Sequence, residues 1–142
     1  MTDKELLVKI FEKDGYVKLS GIELLEISNE RAVACAKIGA EHLNANGSVQ
    51  GGMLYTIADF AFAALANYLH PITVTQGGTI DYVRAAYTSY ITATAVEKVR
   101  VGKNTISEVT IRDEQDQVVC VCKFNGFVKE ISKEELIKKF DK

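Results

Sequence analysis

Apolar positions change their spacing twice along the chain. From Thr2 to Gly15, Leu6, Leu7, Ile10 and Phe11 recur at helical spacing. That predicts a short amphipathic helix over about 2–15, capped at Thr2 or Asp3 and stopped by Gly15. "GIELLEIS" and "RAVACAKI" flank the turn-like "NE" and predict a hairpin, with Ala32 and Ala34 alternating with Val33 and Cys35. An Asn-, Gly- and Ser-rich loop at 44–49 leads to a long helix from about Gln50 to Tyr68, which the His70–Pro71 pair stops. Met53, Leu54, Ile57, Phe60, Phe62 and Leu65 run nearly all the way round it, so it is expected to be buried on most sides. Period two then takes over. "ITVTQGGTIDYV" reads as a strand, with Gly77–Gly78 as the place where it would break. "YITATAVEKVRV" alternates throughout, "GKN" turns, and "TISEVTIRD" and "VVCVCKFNGFVKE" form a hairpin across "EQDQ". "SKEELIKKF", with Ser132 and Glu135 at capping-box spacing, predicts a closing helix over about 132–140. Consecutive strands around one wholly apolar helix indicate an α+β fold, an antiparallel sheet wrapped around a central helix, in a single domain over 1–142.

Composition narrows the function. The 142 residues are 47% apolar and 25% charged, ordinary for a globular chain, and the formal charge of −2 gives no footprint for nucleic acid or an anionic membrane. The mixed-charge N-terminus does not read as a signal peptide, and the apolar run from Phe60 to Ala66 is too short to span a bilayer. Three cysteines without a C-x-x-C spacing read as small reduced core residues, which points to a cytoplasmic address. His42 and His70 stand far apart with no paired ligand at metal-binding spacing, so no metal is expected.

One position does not fit an apolar helix. Between Glu41 and Asp81 the only Asp, Glu, Lys or Arg is Asp59. A carboxylate buried there costs several kcal/mol unless it is hydrogen-bonded, paired or neutralised. Gly51 and Gly52 open the same helix, where free N–H groups and a partial positive charge meet a backbone that a ligand oxygen can approach closely. Two readings stay open for each feature. Asp59 is either a reacting group or a carboxylate tied to the next strand, and the glycines are either an oxyanion site or close-packing residues.

The stretch "NANGSVQGGMLYTIADFAFAALAN" resembles the hotdog-fold acyl-CoA thioesterases, specifically the phenylacetate-degradation (PaaI-like) branch. That family shows an Asn, a small-residue loop, His-Gly-Gly opening the central helix, and a carboxylate nine residues after the His. Here the series is Asn44, Gly47, Gln50-Gly51-Gly52 and Asp59. "TIDYVRAA" resembles the family's strand and its Tyr-x-Arg-Pro turn, and "VRVGKNTISEVTIRDEQDQVVCVCKFNGFV" its last two strands. The likeness spans roughly residues 20 to 129. Gln50 replaces the usual His and Ala85 the usual Pro; Gln keeps hydrogen-bonding capacity but carries no proton at neutral pH.

The resemblance implies hydrolysis of an acyl-CoA to free acid and CoA, with coenzyme A as part of the substrate and no other cofactor. It implies Asp59 as general base or nucleophile, the N–H of Gly52, with Gly51, polarising the carbonyl, and Asn44 and Gln50 orienting water or thioester, with Asn44 otherwise a loop or cap residue that meets no ligand. Thr75 and Gln76 are candidate donors to Asp59. Arg84, Arg100 and Lys103 are candidates for the coenzyme phosphates, or equally solvated strand-end charges. Tyr82 and Tyr87 either line an acyl pocket or pack in the core or an interface. Gln50 keeps a second reading in play, a hotdog protein that binds an acyl ligand without turning it over. Asp59 lies about 12 Å along the helix from the glycines, so the family's two-subunit site implies a homodimer, with a dimer of dimers as its extension. An unpaired strand edge supplies the physical motive for assembly.

Overall fold

The computed structural model describes residues 1–141. Helix α1 (Asp3–Phe11) starts on Thr2, whose hydroxyl accepts the Glu5 N–H at 3.2 Å while the Glu5 carboxylate accepts the Thr2 N–H at 3.3 Å. It ends before Gly15, contrary to the expected span. Gly15 instead opens a second helix, α2 (Gly15–Leu19), because Asp14 supplies an N-cap: its Oδ1 accepts the Val17 N–H at 3.1 Å.

Strands β1 (Glu23–Ile27) and β2 (Ala32–Lys37) form the first hairpin, and α3 (Gly51–Leu69) is the long helix. Then come β3 (Thr73–Tyr82), β4 (Tyr90–Val101), β5 (Asn104–Arg112), β6 (Val118–Val128) and α4 (Lys133–Phe140). All pairings are antiparallel, in one six-stranded sheet of order β1-β2-β4-β5-β6-β3. The sheet wraps around α3, which contacts every strand. After α3 the chain crosses to the far edge, so β3 pairs only with β6, and its residues from Val74 to Thr79 are exposed.

Small side chains let helix and sheet approach closely. Ala32, Ala34, Ala93 and Ala95 on the sheet and Ala58, Ala61 and Ala64 on α3 are wholly buried. Phe62 stacks on Phe124 at 5.5 Å between ring centroids. On β2, Val33 and Cys35 are buried as well as the alanines, so the expected alternation does not appear as alternate exposure. The glycine pair does not break β3. The strand runs through with a register shift between Thr75 and Gly77, and the Phe124 ring and Tyr55 hydroxyl lie where a Gly78 Cβ would come within 2.6 and 2.7 Å of them. By length and hydropathy α3 reaches the composition of a membrane span. Most of that stretch is buried inside the fold instead.

The C-terminal end of α3 is closed by two buried polar residues. The Asn67 amide donates to the Ala63 carbonyl at 2.8 Å and the Thr73 carbonyl at 3.2 Å, while its oxygen accepts the Thr73 N–H at 2.9 Å. That clasp ties the helix to the first residue of β3. Lys133, buried at the start of α4, donates to the Asn67 carbonyl at 2.7 Å and the His70 carbonyl at 3.4 Å, with Asp3 at 3.7 Å. The ammonium satisfies orphan carbonyls and opposes the negative helix end. Lys133→Met is therefore expected to cost about 1–3 kcal/mol. A lower urea midpoint at unchanged slope would show this; an unchanged midpoint would remove Lys133 from the account of the helix end.

Candidate active site

The loop before α3 is folded on Asn44. Its Oδ1 accepts the N–H groups of Asn46 at 2.9 Å and Ser48 at 3.1 Å, and its Nδ2 donates to the Ser48 hydroxyl at 2.9 Å. One Nδ2 hydrogen is left to donate outward. Gln50 is the N-cap of α3, and its side-chain oxygen accepts the N–H groups of both Gly52 and Met53. The Gly52 N–H, expected to polarise a carbonyl, is thus engaged by Gln50. Gly51, the first residue of α3, has an N–H that donates to no protein group among the described residues. Tyr82 closes over this point, its hydroxyl donating to the Gly51 carbonyl at 3.0 Å, where a Gly51 Cβ would sit 3.2 Å from that oxygen. Asn44, Gly51, Tyr82 and Arg84 line one open cavity.

Asp59 faces a different cavity. Its Oδ1 accepts a hydrogen bond from Thr75 Oγ1 at 2.7 Å, so the isolated carboxylate does have a partner on the next strand. Oδ2 has none among the described residues, and Asp59 lines a cavity with Phe11, Asp14, Tyr16, Tyr55, Thr56 and Phe60. The α1–α2 wall of that cavity was not foreseen from the sequence; Phe11, which packs edge-on to Phe60 at 5.0 Å, was the one signal for it. Burial pushes the Asp59 carboxyl above its ordinary range, against the Thr75 hydrogen bond, which favours the charged form. Burial, then the Asp59 charge, also raise the Tyr55 phenol.

Four of the expected residues are elsewhere. Gln76 sits exposed at the β3 bulge and makes no hydrogen bond to Asp59. Arg100 lies at the other end of α3, donating to the Gly102 carbonyl at 3.1 Å and to His70 Nδ1 at 2.8 Å. His70 Nε2 in turn donates to Glu97 at 2.5 Å, and Thr105 donates to the same carboxylate oxygen at 2.6 Å. Burial pushes the Glu97 carboxyl up, but those two hydrogen bonds, with the Arg100 charge, outweigh it and hold it below its ordinary range. Lys103 pairs with Glu130 at 3.4 Å and lies 5.8 Å over the Phe127 ring. Tyr87 is exposed and lines neither cavity.

His42 and the cysteines are buried in the fold. His42 Nδ1 accepts the Gly39 N–H at 3.0 Å, so Nε2 carries the proton and donates to the Ser20 carbonyl at 2.8 Å. Burial pushes the thiols of Cys120 and Cys122 up to about 12 and about 11, too high for a thiolate nucleophile. Among the described residues no group of three His, Cys, Asp or Glu side chains is placed to hold a metal ion.

A carboxyl-detected NMR titration should place the Asp59 midpoint above the usual carboxylate range. Thr75→Val, which removes a hydrogen bond to the charged form, should raise it further, by about one pH unit or less. A fall in the midpoint of that variant would contradict the assigned causes.

No protein-family model matches the chain. Acyl-coenzyme A thioesterase PaaI of Escherichia coli K12 is 32% identical over 114 residues, covering 79% of this chain and 81% of that protein. The solved structure of the Escherichia coli PaaI protein superposes with a TM-score of 0.86 over 92% of this chain and 95% of that one, at 24% identity. A hypothetical thioesterase from Streptococcus pneumoniae, solved with coenzyme A, gives 0.80 over 88% and 98%, at 22% identity. The sequence relationship, with the same fold built around the same central helix, makes this chain a member of the PaaI-like hotdog thioesterase family and a thioester hydrolase.

Proposed function

We propose that the protein hydrolyses an acyl-CoA to the free acid and coenzyme A, with Asp59 of one subunit and Gly51 of the partner subunit acting on the same thioester. The observation that carries this reading is a carboxylate with a raised pKa at a cavity wall, far along the helix from an unengaged helix N-terminal N–H. The acyl-CoA class follows the PaaI relative's named activity and the coenzyme A held by the Streptococcus pneumoniae structure.

The chemistry needs a base and an electrophile. Asp59 Oδ2 takes a proton from water as the water oxygen attacks the thioester carbonyl carbon, and Thr75 holds the other oxygen in place. The Gly51 N–H, aided by the helix dipole and the free Asn44 amide hydrogen, stabilises the oxyanion. The C–S bond then breaks, and the proton on Asp59 goes to the departing thiolate. A raised base pKa suits this role, because proton acceptance is most effective near the working pH. Gln50 supports the site as helix cap and leaves its amide NH₂ free to orient the thioester.

Two subunits supply the missing span. On one chain Gly51 and Asp59 are eight positions apart, about 12 Å along the axis. Pairing of the exposed β3 edges about a two-fold axis sets the helices antiparallel and brings Asp59 toward the glycines of the partner subunit. It also sets Tyr82 and Arg84 beside the start of the partner's β3. That is where Lys103, whose carbonyl accepts the Val128 N–H at 2.8 Å, and Arg100 belong. These three cations then border one groove suited to the coenzyme phosphates.

Thiol release from a panel of aromatic and aliphatic acyl-CoAs should fall by about 100-fold or more in Asp59→Asn. Retention within about threefold would sink the base assignment. Sedimentation at micromolar concentration should give a mass of two chains or a multiple of two, and a one-chain mass would end the shared-site reading.

A further inference from the structure

Asp59 shares its cavity with a second carboxylate that the mechanism above does not use. Asp14 reaches the cavity from the junction of α1 and α2. Its Oδ1 is fixed by the Val17 N–H at 3.1 Å, and the buried Val17 side chain anchors α2 to the core. On the other side of the junction, Phe11 packs on Phe60, the residue after Asp59. Two independent contacts therefore hold Asp14 in place relative to Asp59. Every titratable or hydroxyl group around Asp59 in that cavity is acidic or neutral: Asp14 from the α1–α2 junction, Tyr16 from α2, Tyr55 and Thr56 from α3, with Thr75 from β3. No lysine, arginine or histidine lines it among the described residues.

We infer that Asp14 is a positioning residue for the hydrolysis: its fixed negative charge makes Asp59 a stronger proton acceptor, so the N-terminal helix pair sets the pH range in which the enzyme works. The inference rests on Asp59 being the base. Two like charges bordering one partly desolvated cavity disfavour joint ionisation, and the one that is more buried holds its proton to higher pH. Consistent with this, burial is the main cause of the raised Asp59 carboxyl, and the Asp14 charge adds to it. A stronger base transfers the proton from water further toward completion in the transition state. The capping bond gives Asp14 a second duty, and it is what makes the charge testable apart from the fold.

Asp14→Asn keeps the cap, since Asn caps a helix as well as Asp does, and removes only the charge. The acid limb of kcat/KM should move to lower pH by about half a unit, with at most about a threefold loss on the plateau. Asp14→Ser, a second uncharged cap, should move it the same way and stands in if the Asn variant fails to fold. An acid limb that stays in place in a folded, uncharged variant, while Asp59→Asn is inactive, overturns the role of Asp14 and leaves the base intact. Retention of the wild-type acid limb by an active Asp59→Asn enzyme overturns the base itself, and the inference with it.

Discussion

Enclosing a helix of 19 residues that is apolar on nearly every side is the constraint from which the rest of the structure follows. Such a helix is about 10 Å across, and strands lie about 4.8 Å apart, so several strands must curl round it before its surface is covered. The six strands do so, and the alanines of β2, β4 and α3 set the distance at which they do it. Sequence order then decides which strands end up at the edges. Because the chain leaves α3 and crosses to β6, the strand beside the helix C-terminus becomes a free edge along its whole length.

The two ends of α3 are finished differently, and that difference is where structure turns into chemistry. At the C-terminal end Asn67 and the buried Lys133 satisfy carbonyls, and the Lys133 ammonium opposes the negative pole. At the N-terminal end Gln50 caps two N–H groups, and Gly51 keeps a third available beneath Tyr82. Asp59 is the one charge tolerated on the helix between them. Thr75 lowers its cost, and the cavity under α1 and α2 keeps it partly in contact with solvent. A donor at one end and a carboxylate two turns away do not meet on one chain. In the proposed dimer, pairing of the free β3 edges is the symmetry by which they would meet on two.

The architecture was legible in the sequence because helical and alternating spacing are unmistakable over long segments such as α3 and β4. Asp59 was legible for a related reason: one carboxylate among apolar residues demands a partner, and the following strand offers a hydroxyl at Thr75. The features that spacing does not reveal are governed by local geometry. Asp14-Gly15 reads as a helix stop, yet the aspartate is a cap and the glycine a beginning. Gly77–Gly78 reads as a break, yet the missing Cβ makes room for Phe124 and Tyr55. Gln50 reads as a donor and acceptor for a ligand, yet its oxygen is spent on the helix backbone. Arg100 and Lys103 mark strand ends in the sequence, but nothing in the spacing foretells that His70 and Glu130 engage them.

The central claim is that each active site is divided between two chains, and subunit complementation tests it most directly. Gly51→Pro removes the helix N-terminal N–H while suiting the first helical position, and Gln50 already has the extended backbone that precedes a proline (φ −64°, ψ 137°). Asp59→Asn removes the base. Each variant alone is expected to be nearly inactive. In a mixed dimer one composite site carries both lesions and the other carries neither. Unfolding and refolding the two variants together should therefore restore about a quarter of wild-type thiol release, since half the dimers are mixed and each has one intact site. A mixture that stays as inactive as its parents, with mixed dimers verified by mass, would contradict the divided site.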